Sequence, residues 1–103
     1  MGFKSKRSQK CDISPKVKKI VAERDEGLCV ICKRPGLPNA HYISRAHGGL
    51  GIEQNIVTLC PVCHDCYDNG VFRENFKDAI RGYLEEHYEN WDESKLVYRK
   101  GII

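Results

Sequence analysis

Cys29-Val30-Ile31-Cys32 and Cys60-Pro61-Val62-Cys63-His64 enclose 27 residues that include His41, the Gly48-Gly49 pair and Asn55. A Cys-x-x-Cys turn aims two sulfurs at one point, so each pair supplies half of a zinc tetrahedron. Two such pairs in one short chain point to a structural zinc on Cys29, Cys32, Cys60 and Cys63. The competing readings are disulfides or a redox dithiol. No apolar leader and no βαβ pattern support either one. Cys11 and Cys66 are left over, and Cys11 reads as a free thiol. Cys63 and Cys66 form a further Cys-x-x-Cys, which leaves the ligand register at that end open. His64 can also replace one thiolate.

Size and charge set the frame around this clamp. The chain has 103 residues, 41% apolar and 30% charged, with a net charge of +3. One domain of this size buries a limited core, which a zinc clamp would supplement. No segment approaches the roughly 20 apolar residues of a membrane span, so a soluble, cytoplasmic protein without membrane contact is expected. Charge is unevenly spread. Residues 1–20 carry seven basic residues and one acid, or +6, and the remaining 83 carry ten basic and thirteen acidic residues, or −3. A basic arm over residues 1–12, containing Lys4, Lys6, Arg7 and Lys10, suits contact with a phosphate backbone; a solvated tail is the plainer reading.

Residues 1–12 lack apolar periodicity and read as flexible, leaving 13–103 as a single domain. Ser14-Pro15 is a helix start, with Ser as N-cap and Pro in the first turn. Val17, Ile20, Val21 and Arg24 share a helical face, and Gly27 stops the helix. Ala40 to Ser44 reads as a short extended segment, and Ala46 to Gly51 as a glycine loop. Ile56-Val57-Thr58-Leu59 reads as the returning strand. Pro61 opens a short helix that Gly70 can cap. Over about residues 72–90, Phe72, Phe76, Ile80, Tyr83, Leu84 and Tyr88 recur at helical spacing and predict a core-facing stripe. Glu74, Asp78, Glu85, Glu86 and Glu89 form its solvated face. Leu96-Val97-Tyr98 and Ile102-Ile103 can dock on the core or add an edge strand.

Between the knuckles lie residues suited to hydrolysis. A neutral His41 can take a proton from water near pH 7. Asn55 can orient a loop through its amide or offer its oxygen to a metal. His64 and Asp68 are four residues apart on one helix, so they share a face and make half of a divalent-metal site. Singly, each has an ordinary alternative: a packing histidine, a turn asparagine, a fourth zinc ligand.

Together, Ala40-His41-Tyr42-Ile43-Ser44-Arg45-Ala46-His47-Gly48-Gly49 and Asn55-Ile56-Val57-Thr58-Leu59-Cys60-Pro61-Val62-Cys63-His64 resemble the HNH endonuclease family. Arg24-Asp25 before the first knuckle is similar to its usual lead-in, and the likeness covers about residues 24–70. It is narrower still to the small zinc-knuckled HNH proteins common in phages. The resemblance implies an α+β fold: a ββα-metal (His-Me finger) core with a four-cysteine zinc, flanked by N- and C-terminal helices. It implies a metal-dependent DNA endonuclease, nicking or cutting both strands. His41 would be the general base, Asn55 the residue orienting the base loop, and His64 the metal ligand on the helix. Asn55 or Asp68 would complete a site for Mg²⁺, Mn²⁺, Ni²⁺ or Zn²⁺. Arg45, Lys4, Lys6, Arg7 and Lys10 would contact DNA, and other phage proteins are conceivable partners. Two positions depart from the pattern. Ala40 stands where many members carry a metal ligand, and Asp68 stands where many carry a second histidine. A non-catalytic, zinc-stabilised DNA-binding module is the alternative that Ala40 favours.

Overall fold

The structure, a computed structural model, describes residues 5–70 and 72–99. Helix α1 spans Lys6–Cys11 and α2 spans Pro15–Asp25. Strands β1 (Leu37–His41) and β2 (Ile56–Leu59) follow, then α3 (Pro61–Asn69) and α4 (Arg73–His87). The architecture is α+β, with one two-stranded antiparallel sheet among the described residues.

Helix α2 begins as the sequence predicts. Ser14 Oγ accepts from the Val17 amide and Pro15 opens the first turn, where its missing N–H costs nothing. It ends at Asp25, where Glu26 and then Gly27 adopt positive φ. In the hairpin, Ala40 faces Val57 and His41 faces Ile56, with an irregularity between Leu37 and Ala40. All four β2 residues are buried. A lone hairpin achieves this only with both faces covered, and β2 contacts both α2 and α3. Tyr42, Val57, Leu59, Tyr67, Ile80, Leu84 and Leu96 form the core with Cys29, Cys60 and Cys63. The stripe on α4 supplies Ile80 and Leu84 fully and Phe76 and Tyr83 partly, with Tyr88 just beyond the helix. Phe72 departs from the expectation and is 57% exposed, because it precedes the first helical turn rather than lying within it.

A polar hub fastens α2 and the α4 end to β2. Arg24 donates Nε and Nη2 to the two carboxylate oxygens of Asp25, at 2.6 and 3.0 Å. Its guanidinium also reaches Ile56 O, Glu53 O and Tyr88 Oη. Asp25 in turn accepts from the Thr58 amide and Tyr83 Oη. A buried pair of this kind is tolerable because every charge finds several partners.

The expectation of a flexible arm over residues 1–12 is corrected for residues 6–11, which are helical. Ser5 caps α1, and Cys11 at its end is 2% exposed. Arg7 Nη2 donates to Arg45 O and Ala46 O at 2.9 and 3.0 Å, and the Gly51 amide donates to Lys10 O at 2.9 Å. Polar contacts to a distant loop hold this helix, so apolar periodicity could not signal it. Lys4, Ile102 and Ile103 lie outside the described residues. Leu96 is buried, and Val97 forms a single bridge with Gly49.

Candidate functional site

Two sites form where the hairpin meets α3. In the first, the sulfurs of Cys29, Cys32, Cys60 and Cys63 all lie within 4.8 Å of one another. Metal–sulfur bonds of about 2.3 Å in a tetrahedron separate sulfurs by about 3.8 Å, and Cys32 and Cys60 sulfurs are 3.5 Å apart. The donor set therefore fits a metal ion. Burial pushes the Cys29 thiol up, but the amides of Cys32, Cys60 and Ile31 outweigh it and bring it to about 7. The Cys63 amide draws the Cys60 thiol down, while burial and the three neighbouring sulfurs hold the Cys63 thiol up. Crowded sulfurs that cannot all ionise alone are what a cation relieves. Cys60 is also the N-cap of α3, so the knuckle fixes where that helix starts. Cys66 stands outside the cluster, which closes the open ligand register, and His64 does not join it.

The second site is an open cavity of about 900 Å³, lined by His41, His64 and Asp68 together with Lys18, Arg45 and Arg73. His41 enters from the end of β1. Its Nε2 lies 2.8 Å from Cys11 O. A carbonyl can only accept, so Nε2 carries the hydrogen and Nδ1 keeps the lone pair of the neutral ring. Burial lowers the His41 pKa against the Cys11 carbonyl, and the charges of Arg45 and His64 lower it further. These contributions bias the ring toward its unprotonated, basic form.

His64 and Asp68 face the same cavity from α3, with Nε2 and Oδ2 3.3 Å apart. That is about the spacing of neighbouring ligands around a small dication. The pair fits a hard metal but supplies only two ligands. Among the described residues, no second group of three or more such ligands converges.

Asn55 corrects the expectation of a metal ligand. It is fully buried and absent from the cavity lining. Its Oδ1 accepts from the Ile43 amide at 2.8 Å, and its Nδ2 donates to Ile43 O and Leu50 O at 3.1 and 2.8 Å. Every polar function is committed to the two ends of the loop after β1. Gly49 completes that loop, since a Cβ there would lie 1.6 Å from Ile43 O. Ala40 packs in the core and does not line the cavity, whereas Asn39 does.

Of the basic residues singled out for DNA, Arg45 rims the cavity and pairs with Asp12 at 2.7 Å. Lys6 and Lys10 are exposed on α1 away from the lining, and Arg7 is committed to loop carbonyls. Lys18 belongs to the basic stretch of residues 1–20 without being singled out there, and Arg73 was not apparent from the sequence. Arg73 lies over the Tyr67 ring at 5.0 Å in the first turn of α4, a placement only the packing of α3 against α4 creates. His47, paired with Ser44 Oγ at 2.8 Å, lies at the cavity edge.

A hairpin and helix joined by a thiol cluster, with one histidine from the strand and one from the helix in a shared cavity, define a ββα-metal domain. Residues 29–70 match the family model described as HNH endonuclease. No curated protein matches the chain at a significant level. No helix among the described residues is long and apolar enough to cross a membrane.

Proposed function

We propose that the protein is a metal-dependent endonuclease that hydrolyses phosphodiester bonds in DNA. The observation that carries this reading is the shared cavity: a neutral His41 with a fixed tautomer faces the His64–Asp68 pair across it. His41 takes a proton from water, and the hydroxide so formed attacks phosphorus as the phosphodiester bond breaks. His64 and Asp68 would hold a divalent ion, which supplies positive charge to the phosphate and the departing oxygen. A two-ligand site of this kind would leave room on such an ion for water and the substrate phosphate. Lys18, Arg45 and Arg73 bind flanking phosphates and fix the register of the strand. Zinc on the four cysteines is closed to substrate and structural. If it is phage-encoded, it would act in the host cytoplasm beside other phage proteins.

The test is cleavage of supercoiled plasmid with Mg²⁺, Mn²⁺, Ni²⁺ or EDTA, beside His41→Ala. Metal-dependent nicking or linearisation that disappears in folded, zinc-loaded His41→Ala supports the reading. Cleavage by that variant at the wild-type rate refutes the assigned base. The two-ligand metal pair favours a second reading, a DNA-binding module without chemistry. A gel shift without cleavage under any metal would select it.

A further inference from the structure

The geometry points to α1 as a positioning element for the base: the Cys11 carbonyl at its end orients His41 and fixes its tautomer. This role lies outside residues 29–70 and rests on His41 being the general base.

The carbonyl is available for a reason written in the sequence. Cys11 is the last residue of α1 and Asp12 is already extended, so its carbonyl is one of those a helix end leaves without an intrahelical amide, and Pro15 at the next helix start offers none. The α1 end therefore keeps an unused acceptor, and His41 Nε2 takes it at 2.8 Å. Three further features seat that acceptor. The Gly51 amide holds Lys10 O. Gly51 leaves room for the chain to pass, since a Cβ there would lie 2.0 Å from Asp12 O. Arg7 and Asp12 tie both ends of α1 to the 45–46 segment through Arg45 O, Ala46 O and the Arg45 guanidinium. The loop that ends at Gly51 thus builds the socket for α1, and α1 holds the imidazole that the loop adjoins.

The chemical consequence is specific. With Nε2–H donated to a carbonyl, the neutral ring presents Nδ1 as its only lone pair. When Nδ1 gains a proton, the same carbonyl steadies the cation. Without α1, the ring exchanges tautomers and loses its fixed orientation. The basic segment around Arg7 then serves the chemistry as well as the attraction of DNA.

The experiment uses ¹⁵N-labelled, zinc-loaded full chain and long-range ¹H–¹⁵N spectra of His41, with cleavage kinetics alongside. Wild type should show one Nε2–H tautomer. Gly51→Ala pushes the Asp12 segment away and should give a mixture of tautomers. Its kcat should fall about 10- to 100-fold, as for loss of other orienting partners, with KM for DNA unchanged. Arg7→Ala, on an exposed side chain, should shift both readouts in the same direction if Gly51→Ala does not fold. A single Nε2–H tautomer persisting in both variants, or mixed tautomers in wild type, would overturn the proposal. If wild type cleaves nothing, the spectra still decide the role of α1, and the nuclease reading fails separately.

Discussion

Replacing Asn55 with alanine removes three hydrogen bonds from a residue with no solvent exposure. One donor, the Ile43 amide, and two acceptors, Ile43 O and Leu50 O, lose their partner. At about 1 kcal/mol net for each bond the cost is about 3 kcal/mol. For a chain of this length that lowers Tm by on the order of 12–15 °C. The informative companion is Asn55→Asp. A metal-ligand role predicts that a carboxylate would serve as well or better. The tether role predicts failure, because the second carboxylate oxygen would face Ile43 O and Leu50 O without a hydrogen. Burial would push that carboxyl up, so the variant should be most stable in acid and lose stability as pH rises. Thermal unfolding followed by circular dichroism, with and without Mg²⁺, separates the two. An Asn55→Asp protein that melts within about 2 °C of wild type and binds Mg²⁺ more tightly would refute the tether argument.

Other consequences follow from the same contacts. Asp25→Asn leaves the Arg24 guanidinium buried without its counter-charge and should cost about 3–5 kcal/mol, read as a lower urea midpoint. Burial raises the Asp25 carboxyl, but Arg24 and Tyr83 outweigh it and hold it below its ordinary 3.8. Its contribution is therefore complete above that value and fades as pH falls through the depressed one, a slope that Asp25→Asn should lack. The acid limb of log kcat/KM should lie below 6.5, the ordinary value from which burial lowers His41, with a plateau by neutrality; a limb above 6.5 would contradict the assignment. A chelator that strips the four-cysteine cluster should make four further thiols reactive to a disulfide reagent, while Cys11 stays protected until unfolding. Lys18→Ala and Arg73→Ala should each weaken DNA binding and lower the salt slope by about one.

Elements with local signals were legible in the sequence. Ser14-Pro15 marks the start of α2, the β-branched run marks β2, and Pro61 and Gly70 bracket α3, because caps and turn residues act within a few positions. The four-cysteine cluster was legible for the same reason: spacing alone brings each pair together. The arrangement of His41, His64 and Asp68 followed from motif order. What the sequence did not disclose depends on contacts between distant segments. Helix α1 has no apolar stripe and is held by residues about 40 positions away. Asn55 has the same residue type whether it binds metal or ties a loop, and only its burial decides. Lys18 and Arg73 reach the cavity from two helices whose placement no local pattern encodes.

The hub around Arg24 bears on how this protein can be cut and recombined. Its partners lie at residues 25, 53, 56 and 88, and Asp25 adds 58 and 83. Residues 29–70 are therefore not a portable cassette. Grafted alone into another protein, β2 would lose the donor that holds the Ile56 carbonyl and the carboxylate that holds the Thr58 amide. Any transferable unit must include at least Arg24 through Tyr88, and a lysine at 24, with no fork to span these acceptors, would not preserve it.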